Sequence, residues 1–283
     1  MVKILSVILL VLLLIVGRLK GLKNFICFYL NYFLILGYIF LMGCGINAIL
    51  LSLLTCVVSA ASTLFIVNGY NVKTRSAFRS VLIILAVMFV LVLIIGRLAN
   101  IQGFSKENAE TIGIYSMDIG YSMADVLVGM VILCTIGTVI DTSLSVSTAL
   151  NEVHVNNPHL DRSELFRSGM NVGRDILSTT INTLLFAFMG GLVAFFLWHQ
   201  ADDPEMIING KALVQGVFEL FSCLIASVLV IPVTSLITSK RLLSEDNDED
   251  TGNDAPALPE APADDGAAPA ERAASWQDYP DDE

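Results

Sequence analysis

The sequence predicts an all-α protein: a polytopic transmembrane helix bundle of about seven spans, ending in a disordered acidic C-terminal tail. Three observations predict it. Hydrophobic residues make up 55% of the 283 positions and charged residues only 15%, with a mean hydropathy of +0.72. That balance excludes an ordinary soluble domain. Apolar runs near 20 residues long, enough to cross a hydrocarbon core about 30 Å thick, recur through residues 1–243. The formal net charge of −11 is also lopsided. Residues 244–283 hold fourteen acidic residues against the single base Arg272, a net of −13, which leaves residues 1–243 at +2.

Taken in order, the first expected span is 2–17, short and preceded by Lys3. It has the charged start and apolar run of a signal peptide. No small-x-small cleavage site follows and a basic cluster does, so it reads as a retained span. Spans 25–42 and 44–67 are separated only by the small-residue hinge Gly43-Cys44-Gly45, and 80–97 follows. Span 124–149 is the least apolar, since it contains Asp125, Asp141 and a run of Ser and Thr. Spans 176–199 and 212–238 complete the set. The last carries Glu219 near its outer end and Pro232, which removes a backbone donor and favours a kink.

Two connections have features of their own. Loop 98–123 includes Asp118 and suits a short interfacial helix. Loop 150–175 has a turn at Asn157-Pro158, then the N-cap-like start Asp161-Arg162-Ser163-Glu164, which predicts a short cytoplasmic helix near 161–170. The tail 244–283 is rich in Asp, Glu, Ala and Pro and reads as disordered, because it buries too little apolar surface to offset its ordering entropy. Its two aromatics, Trp276 and Tyr279, offer a docking motif for a cytoplasmic partner.

Basic residues set the orientation. Arg18, Lys20, Lys23, Lys73, Arg75, Arg79, Arg162, Arg167, Arg174, Lys240 and Arg241 fall on one side of the alternating spans. Lys3, Arg97, Lys106 and Lys211 fall on the other. The positive-inside rule then places the N-terminus outside and the C-terminus in the cytoplasm of a multi-pass cell-membrane protein, consistent with an odd number of spans.

Chemistry is sparse. The five cysteines lie in apolar runs without CxxC or Cys/His spacing, so buried structural thiols are expected and neither disulfides nor a metal site. His154, His159 and His199 read as surface residues without metal-ligand spacing. No P-loop, HExxH, nucleophile elbow or nucleic-acid signature is present. The expectation is therefore a non-enzyme without cofactor that does not bind nucleic acid.

The informative residues lie on the fifth and sixth spans. Asp141, Ser145, Thr148 and Glu152 recur at helical spacing on one face, preceded by the small residues Gly129 and Gly137. An aspartate inside a bilayer helix costs about 2.5 kcal/mol or more, so it needs a partner or a task. The sixth span opens with Arg174 and Asp175 and carries Ser178, Thr179 and Asn182 along its first turns. As an antiparallel neighbour it would bring Ser178, Thr179 and Asn182 to the depth of Asp141, a layer able to bind a cation, relay a proton, or clamp two helices together.

These same segments carry a family resemblance. GTVIDTSLSVSTALNE at 137–152 and SGMNVGRDILSTTINTL at 168–184, with NGYNVKTRSAF at 68–78 and IPVTSLI at 231–237, resemble the YibE/F-like membrane proteins over most of 1–243. The motif positions are Gly137, Asp141, Ser145, Ser147, Ala149, Leu150 and Glu152 in the first segment. In the second they are Ser168, Gly169, Met170, Asn171, Gly173, Arg174, Asp175, Thr179, Asn182, Thr183 and Leu184. The chain departs from the pattern at Ser178, Thr180 and Ile181, where the family usually has Gly, Met and Thr. The family has no settled biochemical activity. Its members often come as pairs, so the resemblance implies a paired YibE/F-like membrane subunit as partner.

The expectation that follows is a transport component, a permease or efflux subunit. Asp141, Asn182, Ser145 and Thr179 would bind the cation or proton. Arg174, Asp175 and Glu152 would form the cytoplasmic mouth, and Gly137 and Gly173 would permit close helix packing. The rival expectation is a non-enzymatic scaffold that recruits cytoplasmic partners through the acidic tail.

Overall fold

In hydrocarbon every backbone N–H needs a partner within its own segment or a closed sheet, and this chain meets that demand with helices. The structure, a computed structural model, describes residues 2–98, 123–198 and 204–253. Among them are six helices long and apolar enough to cross a membrane. Helix α1 is Val2–Gly43. Helix α2, Ala48–Ala61, passes directly into a π-helical turn, Ser62–Ile66. Then come α3 (Val72–Leu98), α4 (Met123–Asn156), α5 (Arg162–Trp198), the short α6 (Pro204–Ile208) and α7 (Lys211–Asn253).

The first two expected spans, 2–17 and 25–42, fall together in α1, and the reason lies in one residue. Arg18 has φ 46° and ψ −126°, outside helical values and in the left-handed range that favours glycine. There α1 folds back on itself. The Ser6 and Tyr29 hydroxyls hydrogen-bond across 23 residues, a separation of about 35 Å in a straight helix. Gly21 sits so close under the Leu13 carbonyl that a Cβ at this position would overlap it. The two arms of α1 therefore run antiparallel.

At the end of α1, Cys44 and Gly45 donate to the carbonyls of Leu41 and Met42, and Gly45 has φ +93°, so the expected hinge is a tight turn. Asn47 then caps α2, its Oδ1 accepting from the backbone N–H groups of Ile49 and Leu50. Before α3 the chain turns again through Gly69 at φ +74°. Thr74 locks that turn: its hydroxyl accepts from the Asn71 N–H and lies 2.9 Å from the Gly69 carbonyl oxygen.

Helix α4 is the centre of the bundle. Its apolar residues Leu127, Val128, Val131, Ile132, Val139 and Val146 are buried in one core with Val81, Ile84, Met88 and Val92 of α3. Helices α3 and α4 are antiparallel: Ser143 and Ser147 meet the first turns of α3, while Val128 lies against Gly96 near its end. Helices α5 and α7 are antiparallel as well. A Cβ at Gly169 would lie 2.7 Å from Ser235 Oγ, one at Gly173 would overlap Ile231, and one at Gly216 would lie 2.8 Å from Phe188. Small residues thus set the helix spacing, as expected where lipid supplies no hydrophobic drive between helices.

Three expectations are corrected. The short helix near 161–170 is the first part of α5, which runs unbroken from Arg162 because no glycine turn or proline intervenes before the sixth span. Its start is the expected cap: Glu164 Oε2 accepts from the Asp161 N–H at 3.2 Å, and the Ser163 hydroxyl donates to Asp161 Oδ2 at 3.0 Å. At the other end, α7 continues through Pro232 to Asn253. Residues 244–253 of the expected disordered tail are therefore helical, since adding residues to an existing helix avoids the nucleation cost. The rest of the tail, with Trp276 and Tyr279, lies outside the described residues, as do residues 99–122 of the expected loop 98–123, and His199. Finally, His154 is buried, at 7% exposure, because it lies on the inward face of α4, whereas His159 is exposed.

The Arg162 backbone N–H, the largest influence, and the Ser163 hydroxyl hold the Asp161 carboxyl below its ordinary value of 3.8. A depressed carboxyl stabilises above its unfolded-state pKa, and the contribution is lost as pH falls through the folded value. Asp161→Ala is thus expected to lower the amide-exchange protection of the first turn of α5 at neutral pH. The difference from wild type should shrink as pH is taken below about 3.8. Equal protection at neutral pH would show that the cap carries nothing.

Candidate functional site

The polar residues of α4 divide between two faces. On the inner one, Thr135, Thr142, Ser143 and Ser147 are buried. Ser147 Oγ donates to the Lys73 carbonyl at 2.7 Å, and Ser143 Oγ donates to the Ala77 carbonyl at 3.0 Å. Thr234 of α7 in turn donates to Ser143 Oγ at 3.3 Å, and Cys223 Sγ lies 3.9 Å from Thr135 Oγ1. A seam of hydroxyls therefore ties α4 to both α3 and α7. Helices α4 and α7 run parallel, as the Thr135–Cys223 and Ser143–Thr234 pairs require. Sequence reasoning missed this seam because it weighted the carboxylate. The signal was Ser143 and Ser147 at a spacing of four, with Thr135 two turns earlier.

On the outer face, Asp141 is exposed, and so are Gly137 and Glu152. Ser145 and Thr148 are half-buried. Asp141 lies about 27 Å from the first residue of α4 and about 22 Å from its last, so it is near the middle of the helix. Among the described residues no side chain is recorded hydrogen-bonding or ion-pairing with it. Among the described residues nothing lies within 4 Å of a Cβ built at Gly137, where a close approach is expected. Gly173 differs, being buried with Ile231 against it.

Helix α5 presents a similar split. Leu165, Gly169 and Gly173 are buried at its start. Arg174, Asp175, Ser178, Thr179, Asn182 and Thr183 are all exposed. Thr179 donates to the Ile176 carbonyl at 2.8 Å and Thr183 to the Thr179 carbonyl at 2.9 Å, so these hydroxyls are satisfied by their own helix. Among the described residues Arg174 donates to Asn171 Oδ1, at 3.3 Å. The depth relation expected between the two helices follows from one contact: a Cβ at Gly169 would lie 2.9 Å from Leu150 Cδ1. Counting equal rises from that contact, Asp141 is level with Ser178, and Gly137 with Asn182. Ser178 and Thr179 thus lie at about the depth of Asp141, with Asn182 about one turn away, and among the described residues no direct hydrogen bond joins Asp141, Ser145, Thr179 and Asn182.

A second polar group sits where the sequence reading placed none. Asn31, on the second arm of α1, accepts at Oδ1 from Ser59 (3.0 Å) and Ser62 (3.2 Å) and donates from Nδ2 to Thr63 Oγ1 (3.0 Å). Its partners belong to the end of α2 and the π-helical turn. Asn31→Leu removes all three bonds and the 3.6 Å contact of Nδ2 with Cys27 Sγ. At roughly 0.6 kcal/mol per membrane hydrogen bond, the expected loss is about 1–2 kcal/mol of stability in a reversible unfolding assay in detergent. No change would mean that the π-helical turn holds α1 without them.

Glu219 accepts from Gln215 Nε2 at 3.1 Å within α7. Of the cysteines, Cys27, Cys56 and Cys223 are buried. Cys44 and Cys134 are exposed, the first in a turn and the second on the outer face of α4, which corrects the expectation that all five are buried. Among the described residues no group of three or more His, Cys, Asp or Glu is placed to hold a metal ion.

A family model described as YibE/F-like protein matches residues 5–243. No curated protein and no solved structure matches the chain.

Proposed function

The chain belongs to the YibE/F-like family, and from that premise we propose that it is a membrane transport component, a permease or efflux subunit in which Asp141 binds a cation or a proton. In this reading the two arms of α1 cross separately, which gives seven crossings with the N-terminus outside and the C-terminus in the cytoplasm. Asp141 carries the proposal. A carboxylate halfway along a membrane helix, on a face that the described residues leave open, is costly in lipid unless it is protonated, ion-bound or covered.

The polar face of α5 within about one turn of that depth supports a cover. Asn182, Thr179 and Ser178 supply hydrogen-bonding groups, and the open Gly137 leaves room for a close helix. A paired YibE/F-like subunit seated there would complete the layer, with Arg174, Asp175 and Glu152 at its cytoplasmic mouth.

The test is modification by dicyclohexylcarbodiimide, an apolar reagent that reacts with protonated carboxyl groups inside membranes. Native membranes containing the full chain should give an adduct mapped to Asp141 by mass spectrometry. The adduct should be absent from Asp141→Asn and diminished as pH rises or as the transported cation is added. Reaction at other carboxyls with none at Asp141 under any condition would end the reading.

A further inference from the structure

An open cleft of about 420 Å³ is lined by Tyr70, Asn71, Val72, Lys73, Arg75 and Asn151. It lies where the turn before α3 meets the far end of α4, away from the Asp141 layer. Its walls are held by backbone. Gly69 turns the chain at φ +74°, the Thr74 hydroxyl accepts from the Asn71 N–H, and Ser147 holds the Lys73 carbonyl at 2.7 Å. Asn151 is one helical turn beyond Ser147, so the bond that fixes the first turn of α3 also brings Asn151 to the rim.

The electrostatics of this cleft are one-sided. Lys73 and Arg75 line it, and the first turn of α3 contains no acidic residue. Among the described residues no carboxylate is recorded within 4.0 Å of either cation. Arg75 is instead stacked on an aromatic: its Cζ lies 5.1 Å from the centroid of the Tyr70 ring, which itself packs on Phe65 at 5.5 Å. Stacking orients a guanidinium plane and leaves its N–H edge free. A planar fork held in place beside a flexible ammonium is the donor set that suits a tetrahedral anion, with the Asn151 amide and the second Nδ2 hydrogen of Asn71, whose first goes to the Asn68 carbonyl at 3.1 Å, as neutral donors.

We propose that this cleft binds a phosphate group through Arg75 and Lys73. The source is either the headgroup of an anionic phospholipid or free phosphate, and both offer the same oxygens. The site stands independently of the role given to Asp141. The membrane-spanning reading supports the lipid source, since the cleft opens among the basic loops on the cytoplasmic side, where anionic headgroups concentrate.

The experiment uses the purified full chain in a neutral detergent. Thermal unfolding is followed during titration with short-chain phosphatidylglycerol, with inorganic phosphate, and with short-chain phosphatidylcholine as the zwitterionic control. Wild type, Lys73→Gln, Arg75→Gln and Arg167→Gln are compared, the last removing an exposed charge of the same cytoplasmic side. The expected result is saturable stabilisation of wild type and Arg167→Gln by phosphatidylglycerol. Apparent affinity should be weaker by roughly tenfold or more in Lys73→Gln and Arg75→Gln, as for loss of a hydrogen bond to a charged group. Saturation by inorganic phosphate alone, with the same dependence on both residues, assigns the site to free phosphate. No saturable shift with either anion, or equal shifts in all four proteins, overturns the proposal. If Arg75→Gln does not fold, Lys73→Gln decides, since its backbone bond to Ser147 is unchanged.

Discussion

Asp141→Asn is expected to abolish function while the folded protein still accumulates in the membrane at near wild-type levels. The two halves of that expectation have separate physical grounds. Asparagine matches aspartate in shape but cannot ionise, so a site that binds a cation or exchanges a proton is lost outright. The fold is indifferent because Asp141 is exposed on α4 and engages no recorded side chain, whereas the bonds that hold α4 are on its other face, at Ser143 and Ser147. The measurement is paired. Cation or proton flux in vesicles carrying the chain with its native partners reads the first half, and fluorescence-detected gel filtration of the solubilised chain reads the second. Full flux by the Asn variant would make the charge irrelevant and remove the transport mechanism. Loss of folded protein would instead make the carboxylate structural.

Gly173→Leu is expected to be the most damaging substitution for stability. The Cβ alone would overlap Ile231, and three atoms of that side chain crowd the position. Relief requires α5 and α7 to separate, which also disturbs the Gly169–Ser235 contact one turn away. Overpacking in a tight core typically costs about 1–3 kcal/mol, and a displaced helix pair adds lost contacts. A loss of at least about 2 kcal/mol, or failure to accumulate, should appear in detergent unfolding. Gly137→Leu is the contrasting variant. With nothing within 4 Å of its Cβ, it should leave the unfolding midpoint of the isolated chain unchanged. On the proposed pairing it should also reduce co-purification of the partner subunit. Equal destabilisation by both substitutions would contradict the packing described for α5 and α7.

Much of this was legible in the residues, though unevenly. The apolar runs located the six membrane-length helices found among the described residues, because burial of backbone polar groups in lipid leaves helices as the available solution. The Asp161 cap and the Gly43-Cys44-Gly45 turn were readable because caps and turns depend on local chemistry. Of the residues expected at the depth of Asp141, Ser178 and Thr179 lie there and Asn182 lies about one turn away, because the rise per residue is fixed but the register across the connection is set by packing. Missed were the fold-back of α1 at Arg18, the Asn31 cluster and the hydroxyl seam of α4. Each depends on a partner far away in sequence: Ser6 with Tyr29, Asn31 with Thr63, Ser147 with Lys73.

The sequence by itself determined the membrane class, the helical segments and the family. Only the tertiary structure decided which way the helices face. In water a polar stripe points outward by default, so periodicity predicts orientation. In lipid both faces of a helix are apolar enough to be exposed, and hydroxyls can bond to carbonyls on either side. Orientation then falls to close packing between particular pairs, Gly169 on Ser235 and Gly173 on Ile231, and to the hydroxyl bonds of Ser143 and Ser147. Those contacts turn the seam of α4 inward and leave Asp141 on the open face.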